Sequence, residues 1–176
     1  IVSYSYRTAD HPSCATAPLT CPYRQGMLWK VTNGLGQVTE TPAYNLYGKP
    51  LTVIDPNGVV TDYEYDARGR IIARKLRGPN NATETDDRIT RIEYWPTGPV
   101  KKVTQPDGAF TTYTYDGAYR LTGITDSEGN TLTLTRNAAG DVLQEQTRDD
   151  QGALLRQAGR AYNTLGQLQS QTDAYG

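Results

Sequence analysis

Few residues in this chain have a type and spacing that could do chemistry. Asp62 and Glu64 stand two apart, and Asp149 and Asp150 are adjacent. A pair of carboxylates is what acid/base cleavage of a glycosidic bond requires. Acids at alternate strand positions or in turns, however, more often form a solvated face or cap backbone N–H groups. His11 is the only histidine, which excludes histidine-based triads elsewhere in the chain. With Cys14 and Cys21 it offers three metal ligands and no fourth, short of a closed tetrahedral site. No catalytic, cofactor-binding or metal-ligating residue is therefore assigned, and no cofactor is expected.

The two cysteines lie in "HPSCATAPLTCPYR", a proline-rich stretch. A local disulfide staple suits a protein bound for an oxidising space, and two free thiols remain the alternative. The charges of the 176 residues, 18 basic and 19 acidic, sum to -1 and are scattered singly. No basic stripe exists to neutralise a row of phosphates, so nucleic acid is not an expected partner. No apolar run approaches the roughly 20 residues that cross a bilayer, and no signal-peptide pattern opens the chain. A soluble chain, or a soluble piece of something longer, is expected.

The elements that must position these side chains are read from composition and repeats. There are 13 Tyr, 17 Gly and 10 Pro against one Phe and one Met, a balance that favours strands and tight turns over helices. At this length the chain is expected to bury a real core. A recurring mark runs through it: Tyr44-Asn45 with Gly48, Tyr65-Asp66 with Gly69, Tyr94-Trp95 with Gly98, Tyr115-Asp116, and Tyr162-Asn163 with Gly166. The stretch "RNAAG" places Arg136 in the tyrosine slot and Gly140 in the glycine slot. Steps between these marks are 21, 29, 21, 21 and 26 residues, one unit with two insertions. A second mark, "DPNG", "QPDG", "DSEG" and "DDQG", ends at Gly58, Gly108, Gly129 and Gly152. Self-similarity at such a period signals a repeat architecture.

Between the marks the residues alternate. Thr61, Tyr63 and Tyr65 share one face of a predicted strand, and Asp62, Glu64 and Asp66 the other. Residues 111–116 repeat the pattern, and residues 131–136 carry it with Leu132, Leu134 and Arg136. Each unit reads as strand, turn, strand, turn, with connections short enough to join antiparallel neighbours. Residues 137–161 hold better helix formers, but Gly140, Gly152 and Gly159 interrupt them, and strands are expected there too. In the turns, Asp66 and Asp116 are expected to accept from backbone N–H groups two or three residues on, and Gly69 to take a positive φ. Arg70 and Arg120 are expected to pair with an acid of an adjacent unit or to lie on a tyrosine ring.

The phrases Tyr65-Asp66-Ala67-Arg68-Gly69-Arg70-Ile71 and Tyr115-Asp116-Gly117-Ala118-Tyr119-Arg120-Leu121 resemble the YD repeat of the RHS (rearrangement hot spot) family, which runs Tyr-Asp-x-x-Gly-Arg-Leu. The resemblance covers residues 28–176 and leaves residues 1–27 as a Cys/Pro-rich lead-in outside the register. It departs at Tyr119 and Arg136, where the turns are expected to differ. Proteins resembling this one include bacterial polymorphic toxins, shell components of insecticidal toxin complexes, and teneurins. The resemblance implies an all-β fold of consecutive antiparallel hairpins in a curved ribbon, an arc of a hollow shell. It implies as partners the remainder of that shell and an enclosed C-terminal toxin domain, and a secreted or cell-surface location in bacterial toxin delivery. The shells can end in a self-cleaving Asp-Pro centre, but "DPNG" aligns with "QPDG" in mid-ribbon and reads as an ordinary turn.

A structural wall segment without catalytic activity is thus the leading expectation. The alternative is a tyrosine-rich module, with Trp95, that stacks on sugar rings at a cell surface; a hydrolase using scattered acids ranks last. Unpaired strand edges are expected to favour self-association. Residues 75–90 form a polar insertion with an Asn81-Ala82-Thr83 glycosylation pattern, idle if the source is bacterial.

Overall fold

The computed structural model describes residues 1–80 and 83–175, so the first two positions of the glycosylation pattern lie outside the described residues. Among the described residues, fourteen strands follow one another in chain order in a single open, antiparallel sheet. The chain divides into two compact units, Ile1–Arg91 and Ile92–Gly176. The first holds β1 (Ser3–Tyr6), β2 (Leu28–Thr32), β3 (Val38–Tyr44), β4 (Pro50–Ile54), β5 (Val60–Tyr65), β6 (Ile71–Leu76) and the start of β7 (Arg88–Tyr94). The second holds β8 (Val100–Thr104), β9 (Phe110–Tyr115), β10 (Leu121–Asp126), β11 (Thr131–Arg136), β12 (Val142–Arg148), β13 (Leu154–Tyr162) and β14 (Leu168–Tyr175). Residues 137–161 are strand and turn, because glycines at the turn positions break every run of helix formers.

One turn geometry closes nearly every hairpin. Among the described residues, eleven connections share two backbone bonds: the first turn residue donates its N–H to the carbonyl four residues on, and the fourth donates back to the first. In the turn at Asp66, its N–H reaches Arg70 O at 2.9 Å and Gly69 N–H reaches Asp66 O at 2.8 Å, with Gly69 at φ 74°. This is a tight turn followed by a left-handed residue, a geometry whose twist matches that of paired strands. The two kinds of mark in the sequence are therefore the same turn.

What distinguishes the tyrosine turns is the strand that follows. Tyr65 pairs with Ile71 but Glu64 with Ala73, so Ile72 is an extra residue on the outgoing strand. The same slip occurs after Tyr44, Tyr115, Arg136 and Tyr162. At the turns starting at Asn33, Asp55, Gln105 and Asp126 the register runs on without a slip. Each slip is a β-bulge, which bends the strand and raises its local twist. The "DDQG" turn, preceded by Arg148, also carries one.

The expected core is not there. Among the described residues the buried apolar ones are Cys14, Tyr44, Ala73 and Ala158, and no large side chain is fully buried. Strands hydrogen-bonded side by side cover one another's edges, while most side chains on the two faces are only half-buried. Small residues such as Ala73, opposite Glu64, fill the closest cross-strand positions.

The lead-in segment is held by its own contacts. Cys14 and Cys21 are joined by a disulfide. His11 Nδ1 accepts from Ser13 N–H and caps a single 3-10 turn, Pro12–Ala15. The Arg7 guanidinium lies 3.8 Å from the Tyr23 ring centre and 4.7 Å from that of Trp29.

Candidate functional site

The repeated turns are where this sequence concentrates specific side-chain chemistry, and two sets of contacts build them. The first is the cap. Asp66 Oδ1 accepts from the N–H groups of Arg68 and Arg70, both at 2.9 Å. Asp116 does the same with Ala118 and Arg120. Among the described residues, nine of the eleven turns open with an Asp or Asn whose side chain caps in this way; Trp95 and Gln105 are the exceptions. The N–H groups reached are mostly two and four residues on, rather than two or three, because the left-handed fourth residue donates its own N–H to the carbonyl of the first.

The second set is a side-chain lock between the first and fifth turn residues. At three of the aspartate turns the free oxygen takes a donor: Arg70 Nε to Asp66 Oδ2 and Arg120 Nε to Asp116 Oδ2, both 2.7 Å, and Asn130 Nδ2 to Asp126 Oδ2, 2.8 Å; Val59 and Ala153, the fifth residues of the turns at Asp55 and Asp149, have no side-chain donor. At three of the asparagine turns the amide donates to an acceptor: Asn33 to Gln37, Asn137 to Asp141 and Asn163 to Gln167. Arg70 and Arg120 thus pair inside their own turn, contrary to the expectation of a partner in an adjacent unit. The closed ring of five residues puts their guanidinium groups beside the turn's own carboxylate. Arg120 also reaches onward, its Nη1 lying 3.0 Å from where a Cβ on Gly140 would stand.

Backbone N–H groups and the facing guanidinium favour the ionised acid, so Asp66 and Asp116 are held below the ordinary aspartate range. For Asp126 the Asn130 amide is the leading cause of the same shift. Burial, and a neighbouring tyrosine, push the hydroxyls of Tyr65 and Tyr115 up.

The tyrosine slot makes a longer link. Tyr65 OH donates to Pro50 O at 2.8 Å and Tyr44 OH to Leu28 O at 2.5 Å. Tyr162 OH donates to Val142 O at 3.2 Å. In the degenerate unit Arg136 supplies the same bond, Nε to Leu121 O at 3.1 Å, and adds Nη1 to Gly140 O at 2.8 Å. The acceptor is in each case the first residue of the preceding strand. What tyrosine and Arg136 share in this slot is a donor at the end of a long, flat side chain.

The turns that depart from the pattern do not differ in geometry. Tyr119 N–H still reaches Asp116 O at 3.0 Å, with Tyr119 itself at φ 61°. The turn after Arg136 closes from Asn137 with the usual two bonds. The backbone bonds, the cap and the lock together outweigh the strain of one non-glycine residue in the left-handed region.

The carboxylate pairs are occupied in other ways. Asp62 accepts from Thr52 Oγ1 at 2.7 Å and from Arg77 Nε at 2.5 Å and Nη2 at 3.1 Å. Burial pushes its carboxyl toward the neutral acid, but these donors prevail and it sits below the usual aspartate range. Asp149 caps its turn through Gln151 and Ala153 N–H, and Asp150 accepts from Gln151 Nε2. Among the described residues no three of His, Cys, Asp and Glu stand close enough to hold a metal ion. Nor is any helix there long and apolar enough to cross a membrane.

The sequence profile of the RHS Repeat family matches residues 44–83 and 94–131, the stretches that hold the tyrosine turns of β3 to β10. This chain carries RHS repeats. The turns at Asn137 and Asn163 fall outside the matched stretches yet close with the same bonds. The RHS-repeat chain is 35% identical over 105 residues, 60% of its length, to double-stranded DNA deaminase toxin A of Burkholderia cenocepacia, and spans 7% of that protein. Its fold is similar to that in the crystal structure of TcdB2-TccC3-Cdc42, with a TM-score of 0.55 and 18% identity over 74% of this chain and 7% of that one. It is similar too to the structure of the Photorhabdus luminescens Tc holotoxin pore, with a TM-score of 0.54 and 18% identity over 85% of this chain and 12% of that one.

Proposed function

We propose that this chain is a wall segment of a toxin-enclosing RHS shell, with no catalytic activity of its own. The observation that carries the reading is the repetition of one capped, locked turn whose donors and acceptors are spent on the wall itself. Asp66, Asp116 and Asp62 each face an arginine, and the tyrosine hydroxyls tie strands together. The RHS repeats and the fold shared with toxin-complex chains support it. The partners under this reading are the remainder of the shell and an enclosed C-terminal toxin domain, in a secreted or surface-delivered assembly. The deaminase activity in the relative's name is said of that protein, which is far longer than the segment shared here.

Limited proteolysis of the full-length natural protein tests this. A C-terminal domain that resists protease while the shell is intact, and is cut once the shell is opened, is the expected result. A reading frame without further repeats, or a C-terminal domain digested at the same rate in both states, overturns the proposal.

A further inference from the structure

Of the five tyrosines that stand directly before a turn, Tyr44 alone is buried: it is 7% exposed, whereas Tyr65, Tyr94, Tyr115 and Tyr162 are half-buried. What covers it comes from outside the repeat. Between β1 and β2 the chain makes an excursion whose base is closed by Arg7 N–H on Met27 O at 2.8 Å and His11 N–H on Tyr23 O at 3.2 Å. Its far end crosses to β3, where Pro22 O accepts from Tyr44 N–H at 2.6 Å. Leu19 and Thr20 rim a concavity of about 370 Å³ that the turns at Asn45 and Asp66 also line. The excursion meets β3 at a weak place, since pairing with β4 slips between Glu40 and Ala43 and again between Ala43 and Tyr44. The Arg7 guanidinium, 3.8 Å from the Tyr23 ring centre, fixes the base. Residues 14–21 have no such anchor. Cys14 is the one buried residue among them, Leu19 is 74% exposed, and the Arg24 side chain that reaches Pro18 O is itself exposed. The disulfide that closes this ring therefore stands in for a core.

We propose that the Cys14–Cys21 disulfide is a thiol-operated latch. Closed, it straps residues 14–22 across the first tyrosine turn; reduced, it releases the strap and uncovers Tyr44 and the concavity beside it. The reductant is a small thiol. Its thiolate attacks the sulfur of Cys21, the more exposed of the two residues, and the Cys14 sulfur leaves with the electron pair of the S–S bond and takes up a proton. A second thiolate then cleaves the mixed disulfide, so both cysteines end as thiols and two small thiols become one small disulfide. The latch stays closed in an oxidising space and opens in a thiol-rich one. The local structure allows it to open without unfolding the sheet, because the strap adds one backbone bond to β3 while β2 and β4 hold that strand from either side. The inference stands apart from the shell reading, since it concerns only the contact between the lead-in and β3.

Amide hydrogen exchange of the full chain, read by mass spectrometry before and after treatment with reduced glutathione, tests it. The peptide that holds Tyr44 N–H should exchange about tenfold faster once the bond is reduced, while peptides at the turns of Asp116 and Asn163 keep their rates. A Cys14→Ser/Cys21→Ser chain should show the fast rate at Tyr44 with or without the thiol. A disulfide that glutathione leaves intact, a Tyr44 rate that reduction does not change, or an equal acceleration in every strand, the mark of a general staple, overturns the proposal.

Discussion

Tyr44, Tyr65 and Tyr162, each just before a turn, contribute a hydroxyl as well as a ring. Arg136 shows this from within the chain, because it keeps the donor while discarding the phenol. Tyr65→Phe, which removes the bond to Pro50 O, should lower stability by about 1 kcal/mol in urea unfolding. Arg136→Tyr should be near neutral, and Arg136→Leu should lose a similar amount; an Arg136→Leu chain as stable as the parent would show that the slot needs no donor. Tyr119→Gly should gain about 1 kcal/mol by relieving the left-handed strain. The acid side follows from the capped carboxylates. Asp66, Asp116 and Asp126 are held below their unfolded values, so each favours the folded state wherever it is ionised. That contribution is complete above the unfolded value of about 3.9 and is lost as pH falls through the lower folded values. Circular dichroism should show stability falling below about pH 4, and replacing the three by Asn should flatten that fall. Tyr65 and Tyr115 act in the opposite direction, favouring the folded state below about pH 10 and losing that effect as pH rises further.

At the scale of the element, turn and bulge work together. The turn needs a left-handed fourth residue and the bulge takes up one extra residue after it, so a tyrosine hairpin spends more chain on one strand than on its partner. Two glycines separate the costs. An added Cβ at Gly58 meets nothing within 4 Å, whereas at Gly69 it comes 2.9 Å from Lys49 Cε. Both stand at positive φ. Gly58→Ala should cost about 1 kcal/mol from the backbone alone, and Gly69→Ala more, since the Lys49 side chain must move off Tyr65 as well. Equal losses would mean that the lysine contact has no part. These elements were largely legible in the sequence, because alternation and glycine spacing act between near neighbours: Thr61, Tyr63 and Tyr65 lie in β5, and Gly69 closes its turn as the spacing predicts. The bulge was not legible. It depends on which residue of the outgoing strand faces Glu64, and nothing within either strand states that.

For the whole molecule, the open sheet leaves β1 and β14 with one neighbouring strand each. All eight residues of β14 are exposed. An isolated chain should therefore self-associate, since unpaired N–H and C=O groups on an edge pair with another strand. Light scattering across a concentration series should show growth in mass that Pro substitution at Ser170 and Thr172 suppresses. A concentration-independent monomer would contradict it. The thin interior makes the same point, because a sheet whose buried apolar residues, among those described, are Tyr44, Ala73 and Ala158 depends on its turns and ladders more than on a core.

By itself the sequence determined the period, the strand content and the turn at each glycine, since these follow from preferences within a few residues of one another. Only the tertiary structure decided that Tyr65 is bonded to Pro50 and Arg136 to Leu121, and that Trp95 and Tyr119 share a cavity. Those contacts join residues 15 to 24 positions apart, and pairing between strands, with its register and bulges, is what brings them within reach.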